Sequence, residues 1–397
     1  MIEATSVVKR AQFYRLKCFD CYRLSKKETQ RKIVIMASKN VAIVSDKLAG
    51  AMGGAEAIVY AAHELYPEAP LYATVIDYDI LPEHWKNLPY RTTFLQHWPM
   101  AIKKYKAYFP LMPLAHEMLN LQEYDTIFSS HHSVAKGIIP RPDARHVCYC
   151  HSPARYIWDL FWTYADLSGF NVVQRTLVGA VSQYLRMWDV SSSHRVTQFL
   201  ANSAYTAQRI KLFYGRESDV LHPPVRTTKF YNGESEDFYL MLGRIVAYKG
   251  FGLAVDAFNE SGKKLVIIGD GPDKQELVAK AKSNITFLGR APDEVVMDHM
   301  ARCKGFVFPG KEDFGIVMVE AQSAGKPVIA LGQGGALDIV RPNETGVLFD
   351  EPTVEELNAA IAKNDAMAWD AKAIEDHAEQ FNEDTFKQKL HAYIEGV

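Results

Sequence analysis

The chain has 397 residues, of which 48% are hydrophobic and 23% are charged. This composition excludes a disordered, collagen-like or coiled-coil chain, and the length predicts two or three domains of ~150 residues each. The formal net charge of −2 gives no reason to expect nucleic acid as a partner. Five cysteines cannot form a disulfide framework, and no apolar run reaches the ~18 residues of a membrane-spanning helix, so we expect a cytoplasmic location.

Residues 1–35 differ from the rest of the chain in charge. They hold nine basic and three acidic residues, a balance of +6, and they lack the apolar core of a secretory signal. We interpret them as an N-terminal extension, because Met36 is a plausible independent start followed by a strand. The alternative is a basic arm attracted to an anionic membrane surface.

The region from residue 36 to 222 begins with the pattern of a doubly wound α/β unit. A strand over Val41–Val44 leads into a glycine-rich turn over 49–56 and then an amphipathic helix over Ala55–Leu65. Continuous apolar strands between helical stretches predict a parallel sheet. The further predicted strands are Leu71–Ile76, Thr126–Phe128, His146–Tyr149 and Gln198–Ala201.

A second α/β series follows a polar stretch that ends near residue 237 and that we interpret as a linker. We predict a second domain over 223–375 and a final helix over 376–397 that packs back on the first domain. Each strand of the second series ends in a loop that contains glycine, and such loops bind ligands in open α/β sheets. The predicted strands are Phe238–Leu242, Lys264–Ile268, Ile285–Leu288, Gly305–Phe308 and Pro327–Leu331.

Two loops, one in each predicted domain, have the chemistry to bind phosphate. Gly53 and Gly54 stand before a helix, where free backbone N–H groups attract an anion. Arg244 and Lys249 follow a strand end and could neutralise a diphosphate. The alternatives are a tight turn without a ligand and two solvated surface cations.

The segment EDFGIVMVEA carries the strongest signal. Gly315 begins a helix that Gly325 and Pro327 end, with Glu312 in the preceding loop and Glu320 inside the helix. A carboxylate in an apolar helix needs a partner, and the paired hydroxyls of a sugar are suitable because a carboxylate accepts several hydrogen bonds. The alternative for Glu320 is an internal salt bridge.

Glu312 and Glu320, separated by seven residues, resemble the Glu-x7-Glu signature of retaining GT-B glycosyltransferases of family four. The resemblance extends from Met36 almost to the C-terminus, and the segment from Tyr149 to Asp159 is similar to bacterial mannosyltransferases of polysaccharide and O-antigen assembly. It implies two Rossmann-like domains that face each other across a cleft. It also implies a retaining hexose transfer, with mannose from GDP-mannose as the first choice and another donor such as UDP-glucose as the alternative.

The resemblance assigns roles to particular residues. Arg244 and Lys249 would hold the diphosphate, Glu312 the sugar hydroxyls and Glu320 the ribose hydroxyls, while His151 would lie beside the donor sugar. The implied catalytic residues are His151, Arg244, Lys249 and Glu312. The implied donor-binding residues are Gly53, Gly54, Gly243, Arg244, Lys249, Gly269, Arg290, Glu312, Phe314, Gly315, Ile316 and Glu320.

No metal or cofactor is expected. Asp77 and Asp79 form an Asp-x-Asp pattern that metal-dependent glycosyltransferases of another fold use, but here it lies in the half that does not bind the donor. A zinc site would require two cysteine pairs to converge, which we do not expect. These pairs are Cys18 with Cys21 and Cys148 with Cys150.

The acceptor is predicted to bind the first domain. A segment over 98–109 mixes aromatic residues with three lysines, which suits a membrane interface and a lipid-linked saccharide, although the aromatic residues could equally belong to the core. A sugar-nucleotide epimerase or a phosphorolytic enzyme of the same fold is a rival interpretation. A catalytically silent glycan-binding subunit is another, which the set of Arg244, Lys249, Glu312 and Glu320 argues against.

Overall fold

The computed structural model describes residues 40–50, 53–162 and 171–397. The predicted basic extension, the Cys18–Cys21 pair and residues 36–39 lie outside these residues. The described part of the chain is organised around two separate parallel β-sheets.

The first sheet has seven parallel strands in the order β3-β2-β1-β4-β5-β6-β7. The strands are β1 (Val41–Ser45), β2 (Leu71–Ala73), β3 (Tyr90–Thr92), β4 (Thr126–His131), β5 (Arg145–Cys150), β6 (Gln198–Ala201) and β7 (Asp219–Val220), and the helices are α1 (Gly54–Leu65), α2 (Met112–Glu117), α3 (Val172–Ser193) and α4 (Ala204–Tyr214).

The second sheet has six parallel strands in the order β10-β9-β8-β11-β12-β13. The strands are β8 (Tyr239–Leu242), β9 (Leu265–Ile268), β10 (Ile285–Gly289), β11 (Gly305–Phe308), β12 (Val328–Leu331) and β13 (Gly346–Phe349). The helices are α5 (Phe251–Ser261), α6 (Lys274–Lys280), α7 (Asp293–Arg302), α8 (Ile316–Ser323), α9 (Ala336–Ile339), α10 (Val354–Ala366), α11 (Ala371–Ala378) and α12 (Glu383–Glu395).

Both sheets follow the strand order of a Rossmann fold, in which the direction of strand addition reverses beside the first strand. The central strands are buried along their whole length, as β1 and β11 illustrate. Continuous apolar strands of this kind need helices on both faces of the sheet. The predicted α/β fold with two doubly wound halves is confirmed.

The chain crosses between the two sheets twice. It leaves the first sheet after Val220, and the next strand begins at Tyr239, with a single β-bridge from Val225 to Asn382 in between. The second crossing lies at Asn382, and α12 then packs against α1 in the core of the first sheet. Its buried side chains there are Phe386, Leu390 and Ile394.

The sequence pattern missed three edge strands, β3, β7 and β13. β3 is partly exposed and β7 has two exposed residues, so neither shows the apolar signal of a buried strand. The aromatic and lysine-rich segment 98–109 does not form a regular α-helix; a 3₁₀ helix runs over Tyr105–Leu111 with Pro110 inside it. In this segment Trp98 and Met100 are exposed, whereas Tyr105 and Tyr108 pack partly against the core.

Candidate functional site

The two points where strand order reverses carry most of the candidate site. In the first sheet this point lies between β1 and β4, and in the second between β8 and β11. Ligands of open α/β sheets bind beyond the carboxyl ends of the strands at such points. β1 is followed by Asp46 and Lys47, β4 by His132, and β8 by Gly243 and Arg244.

A cavity of about 570 Å³ opens between the two halves, and we call it the Lys249 cavity. Its volume lies within the ~300–1,000 Å³ range of small-molecule sites. Both halves contribute to its wall, and seven of the predicted site residues line it. These are Gly54, His151, Lys249, Glu312, Phe314, Gly315 and Ile316.

Lys249 and Glu312 form an ion pair in this cavity. The Nζ of Lys249 lies 2.7 Å from Oε1 of Glu312, and both side chains keep about a fifth of their surface exposed, at 17% and 20%. Lys249 ends a 3₁₀ turn over Ala247–Lys249, directly before α5, and Glu312 belongs to the loop after β11. The pair therefore joins two loops of the second half and presents one cation and one anion to the same space.

Arg244 lines a neighbouring cavity of about 730 Å³, which we call the Arg244 cavity and which is lined entirely by the second half. The predicted residues Gly243, Gly269 and Arg290 line it as well. Arg244 is exposed and, within the described residues, makes no ion pair, while Arg290 is 88% exposed and lies 4.0 Å from the carboxylate of Asp270. The structure thus places these four predicted donor residues in a cavity that adjoins the Lys249 cavity.

Glu320 and Gly53 line a third cavity, of about 560 Å³, which both halves form. Burial raises the pKa of Glu320 to about 7, while the charge of Lys229 opposes that shift. Within the described residues Glu320 makes no salt bridge, so the alternative of an internal ion pair for Glu320 has no support. A carboxyl group in this position is available to a ligand that offers hydroxyl donors.

The N-terminus of α1 meets α8 across the cleft. A side chain added at Gly54 would come within 2.9 Å of Cδ1 of Ile316, so glycine permits this close approach. The N–H of Gly53 already donates to the carboxylate of Glu56 at 2.8 Å. The next N–H groups of the helix have no partner within α1, as in any first turn. Gly315 begins α8 with a φ of +94°, a left-handed conformation that favours glycine.

His151 follows β5 and is held from several sides. Its Nε2 lies 2.8 Å from Oγ of Ser130, and its carbonyl oxygen accepts a hydrogen bond of 2.9 Å from the amide of Asn202. Burial lowers the pKa of His151 to about 3, so the ring is neutral at pH 7. A neutral imidazole can exchange a hydrogen bond with a sugar hydroxyl but does not supply a positive charge.

Sequence reasoning missed an ionic network between the halves. Arg209 on α4 contacts Asp159 at 2.7 Å and Asp313 at 3.2 Å, and Arg155 lies 3.6 Å from Asp313. Burial raises the pKa of Asp313, although both guanidinium groups oppose the shift. Because Asp313 is adjacent to Glu312, the network holds the Glu312 loop against the first half. Only tertiary structure brings these residues together, so no local signal could have found them.

Lys47 and His132 were also missed, although their positions carry a usable signal. Both directly follow strands that flank the reversal point of the first sheet, and both line the Lys249 cavity. The carboxyl ends of β1 and β4, beside the reversal point, are where the fold places ligand-binding residues.

Within the described residues, no group of three or more His, Cys, Asp or Glu side chains is arranged to hold a metal ion. Cys148 and Cys150 are buried free thiols. Across the same ranges, no helix has both the length and the apolar character needed to cross a membrane.

Residues 228–380 match the family described as "Glycosyl transferases group 1". The chain is 26% identical over 212 residues to O-antigen chain mannosyltransferase C of Escherichia coli, covering 51% of this chain and 54% of that protein. It is 29% identical over 232 residues to a GDP-mannose-dependent alpha-(1-6)-phosphatidylinositol monomannoside mannosyltransferase of Mycobacterium tuberculosis, covering 49% of this chain and 60% of that protein. The chain therefore spans about half the length of the curated relatives that it matches.

Solved structures resemble the chain along almost its whole length. Alr3699/HepE of Anabaena, solved with UDP and glucose, matches this chain with a TM-score of 0.66 at 17% identity. The match covers 90% of this chain and 100% of the HepE chain. WaaG, a glycosyltransferase involved in lipopolysaccharide biosynthesis, matches with a TM-score of 0.61 at 16% identity. This match covers 90% of this chain and 100% of the WaaG chain. The chain thus has the GT-B fold of two Rossmann-like halves, and the match to the group 1 glycosyl transferase family lies in its second half.

Proposed function

We propose that this protein is a glycosyltransferase that moves a hexose from a nucleoside-diphosphate sugar to a saccharide or lipid-linked saccharide acceptor. The observation that carries the proposal is the pairing of Lys249 with Glu312 in a cavity that both halves line. One side chain suits a phosphate and the other suits sugar hydroxyls, and a sugar diphosphate presents both groups within one molecule. The group 1 glycosyl transferase match over the same half supports this assignment.

The donor would span the adjoining cavities. The nucleoside would occupy the Arg244 cavity or contact Glu320 through its ribose, and the diphosphate would lie between Arg244 and Lys249. Lys249 Nζ lies close to Gly243, since a Cβ added at Gly243 would come within 3.3 Å of it. Both cations therefore belong to the loop region at the end of β8, where a diphosphate can contact each of them.

The main barrier to sugar transfer is the negative charge that develops on the departing diphosphate. A fixed cation lowers that barrier because it is already oriented toward the charge, and removal of one such donor typically costs ~3 kcal/mol, about a hundredfold in rate. Glu312 and neutral His151 would orient the sugar. We propose retention of the anomeric configuration through front-face attack, with the departing phosphate oxygen taking the proton of the acceptor hydroxyl.

For the donor we favour GDP-mannose, because the relatives named above are mannosyltransferases and one of them depends on GDP-mannose. UDP-glucose is the alternative, since HepE was solved with UDP and glucose. A panel of nucleotide sugars, screened by thermal shift and then by product formation, distinguishes the two. A ligand of the folded state raises its apparent stability in proportion to the logarithm of concentration over Kd.

The same panel tests the reaction class. A transferase releases nucleoside diphosphate at a rate that depends on an added acceptor, and it does not need a divalent metal under the mechanism proposed here. Release that is unaffected by acceptor and accompanied by an epimerised sugar would overturn the proposal in favour of an epimerase. Complete loss of transfer in EDTA with rescue by Mn²⁺ would refute the metal-independent mechanism.

A further inference from the structure

The first half contains a second cavity of about 500 Å³ beside the Lys249 cavity, and we call it the Tyr156 cavity. It lies beyond the ends of β1 and β4, and its wall combines aromatic rings with charged side chains. The rings of Phe109 and Tyr156 meet edge to face with centroids 4.9 Å apart. Its lining includes Asp46, Lys47, Tyr105, Lys106, Phe109, His132 and Tyr156.

Two residues connect this cavity to the proposed donor site. Lys47 and His132 line both the Tyr156 cavity and the Lys249 cavity. A molecule in the Tyr156 cavity would therefore meet a donor sugar in the Lys249 cavity at these side chains. This is the geometry that a transfer reaction between two bound substrates requires.

Asp46 is the acidic residue of the cavity lining, and its carboxylate is fully engaged within the protein. It accepts hydrogen bonds of 2.6 Å from the backbone N–H groups of His132, Val134 and Ala135, and its Oδ2 lies 2.8 Å from Nδ1 of His132. These contacts hold the loop after β4 and fix the imidazole ring. Since Nδ1 faces Asp46, Nε2 is the ring nitrogen that remains available to a ligand.

The remaining charges of the cavity are positive. Lys106 is exposed at its edge and, within the described residues, forms no ion pair. Lys47 donates to the carbonyl of Ala49 at 2.7 Å and lies 3.9 Å from Glu56. Burial alone would lower the pKa of His132, but the charge and hydrogen bond of Asp46 outweigh it and raise that pKa above its ordinary value. A cavity with this balance attracts an anion.

We propose that the Tyr156 cavity binds the acceptor and that the acceptor is an anionic saccharide, with a phosphate or carboxylate close to its terminal sugar ring. The ring would pack on Tyr105, Phe109 and Tyr156, and the anionic group would contact Lys106 and Nε2 of His132. The inference rests on the proposed function and adds the chemical class of its second substrate. A sugar phosphate and a lipid-linked sugar phosphate share this chemistry, and the test separates them.

The test uses the full chain saturated with the nucleoside diphosphate, GDP or UDP, that binds it. Ligand-observed NMR titrations measure the Kd of glucose 1-phosphate, of its decyl phosphodiester and of neutral methyl glucoside. The variants are Lys106→Glu and His132→Asn, whose amide can keep the contact with Asp46, and the matched control is Lys103→Glu, an exposed lysine outside the cavity lining. Circular dichroism and nucleotide binding show that each variant is folded.

We expect both phosphorylated probes to bind more tightly than methyl glucoside. Lys106→Glu and His132→Asn should each weaken glucose 1-phosphate binding about tenfold, while Lys103→Glu leaves it unchanged. Tighter binding of the decyl ester than of glucose 1-phosphate would identify a lipid-linked acceptor, and the reverse order a soluble one. Equal binding of charged and neutral probes, or equal losses in the Lys106 and Lys103 variants, would overturn the inference. Absence of nucleotide binding in the wild type would instead contradict the proposed function.

Discussion

Lys249 and Glu312 lie 2.7 Å apart, and each would bind a different part of the same donor. In this contact each side chain neutralises the other, so neither leaves an unpaired charge in the half-buried cleft. A bound donor would replace this contact with a phosphate on one side and hydroxyl groups on the other.

Glu312→Gln tests the role of that carboxylate. We expect kcat to fall about tenfold or more, because an amide keeps the shape but accepts weaker hydrogen bonds from the sugar hydroxyls. Nucleotide affinity should not fall, since GDP and UDP lack the hexose and the change releases Lys249 from its ion pair. Steady-state kinetics and calorimetry with the free nucleotide measure the two effects. A loss of nucleotide affinity equal to the loss of kcat would place Glu312 on the nucleotide instead.

Glu320 should make nucleotide binding depend on pH. Its pKa of about 7 means that the carboxyl is partly protonated at neutral pH. The ionised form is the better acceptor of hydrogen bonds from two ribose hydroxyls. Binding therefore releases a proton, and Kd should fall as the pH rises from 6 to 8. Calorimetric titration of the nucleotide at both pH values measures this.

The control for that experiment is Glu320→Gln, because the terminal phosphate of the nucleotide also titrates in this range, near pH ~6. The variant should bind more weakly and lose the part of the pH dependence that comes from the carboxyl. An identical pH profile in wild type and variant would show that Glu320 does not contact the ribose.

His146 should link stability to pH. Its ring is buried between Oγ of Ser129, at 2.8 Å, and the carbonyl of Arg195, and burial lowers its pKa to about 3. Below pH ~6.5 the unfolded chain binds a proton at His146, whereas the folded protein does not. The contribution of neutral His146 to the free energy of unfolding is therefore complete above pH ~6.5 and is lost as the pH falls toward 3. The slope from one such group is at most ~1.4 kcal/mol per pH unit.

The measurement is urea unfolding of wild type and His146→Gln between pH 5 and 7. The free energy of unfolding of the wild type should fall more steeply toward low pH than that of the variant. Because other groups titrate equally in both proteins, the difference between the two curves isolates His146. Parallel curves over the whole range would contradict the prediction.

A membrane interaction of the segment 98–109 has its own test. Trp98 is 41% and Met100 55% exposed, and Lys103 and Lys104 are exposed beside them, an arrangement that suits rings at headgroup depth and cations on anionic lipid. Lys103→Glu with Lys104→Glu should reduce flotation with phosphatidylserine vesicles several-fold, and high salt should have the same effect on the wild type. Equal flotation of the wild type and the double variant would contradict a membrane interaction of this segment.

Most strands of the two sheets were predictable because buried parallel strands are continuous apolar runs. The glycine loops at the carboxyl ends of these strands indicated the edge of the sheet at which a ligand binds. β3 and β7 were missed because short, exposed edge strands lack that run. The assignment of Arg244 and Lys249 to one loop region was also accessible from the sequence. Their separation into two cavities depends on how the loop folds.

Contacts between the halves were beyond any local pattern. Arg209 and Asp313 are more than 100 positions apart in the chain, yet they form the contact at 3.2 Å that helps hold the Glu312 loop. The same holds for Asp46, whose carboxylate organises the loop containing His132, 86 positions further on. Strand-end position would have marked Asp46 and His132 as candidates, but only the folded chain shows that they interact.

The most direct test of the account is the rate at which nucleoside diphosphate is released from the preferred nucleotide sugar by wild type and by Lys249→Ala. A matched control is Lys280→Ala, which removes a lysine that pairs with Asp256 at 2.6 Å outside the cavities described above. We predict a loss of about a hundredfold in kcat for Lys249→Ala and wild-type turnover for Lys280→Ala. Unchanged turnover in Lys249→Ala would contradict the claim that this cation stabilises the departing diphosphate.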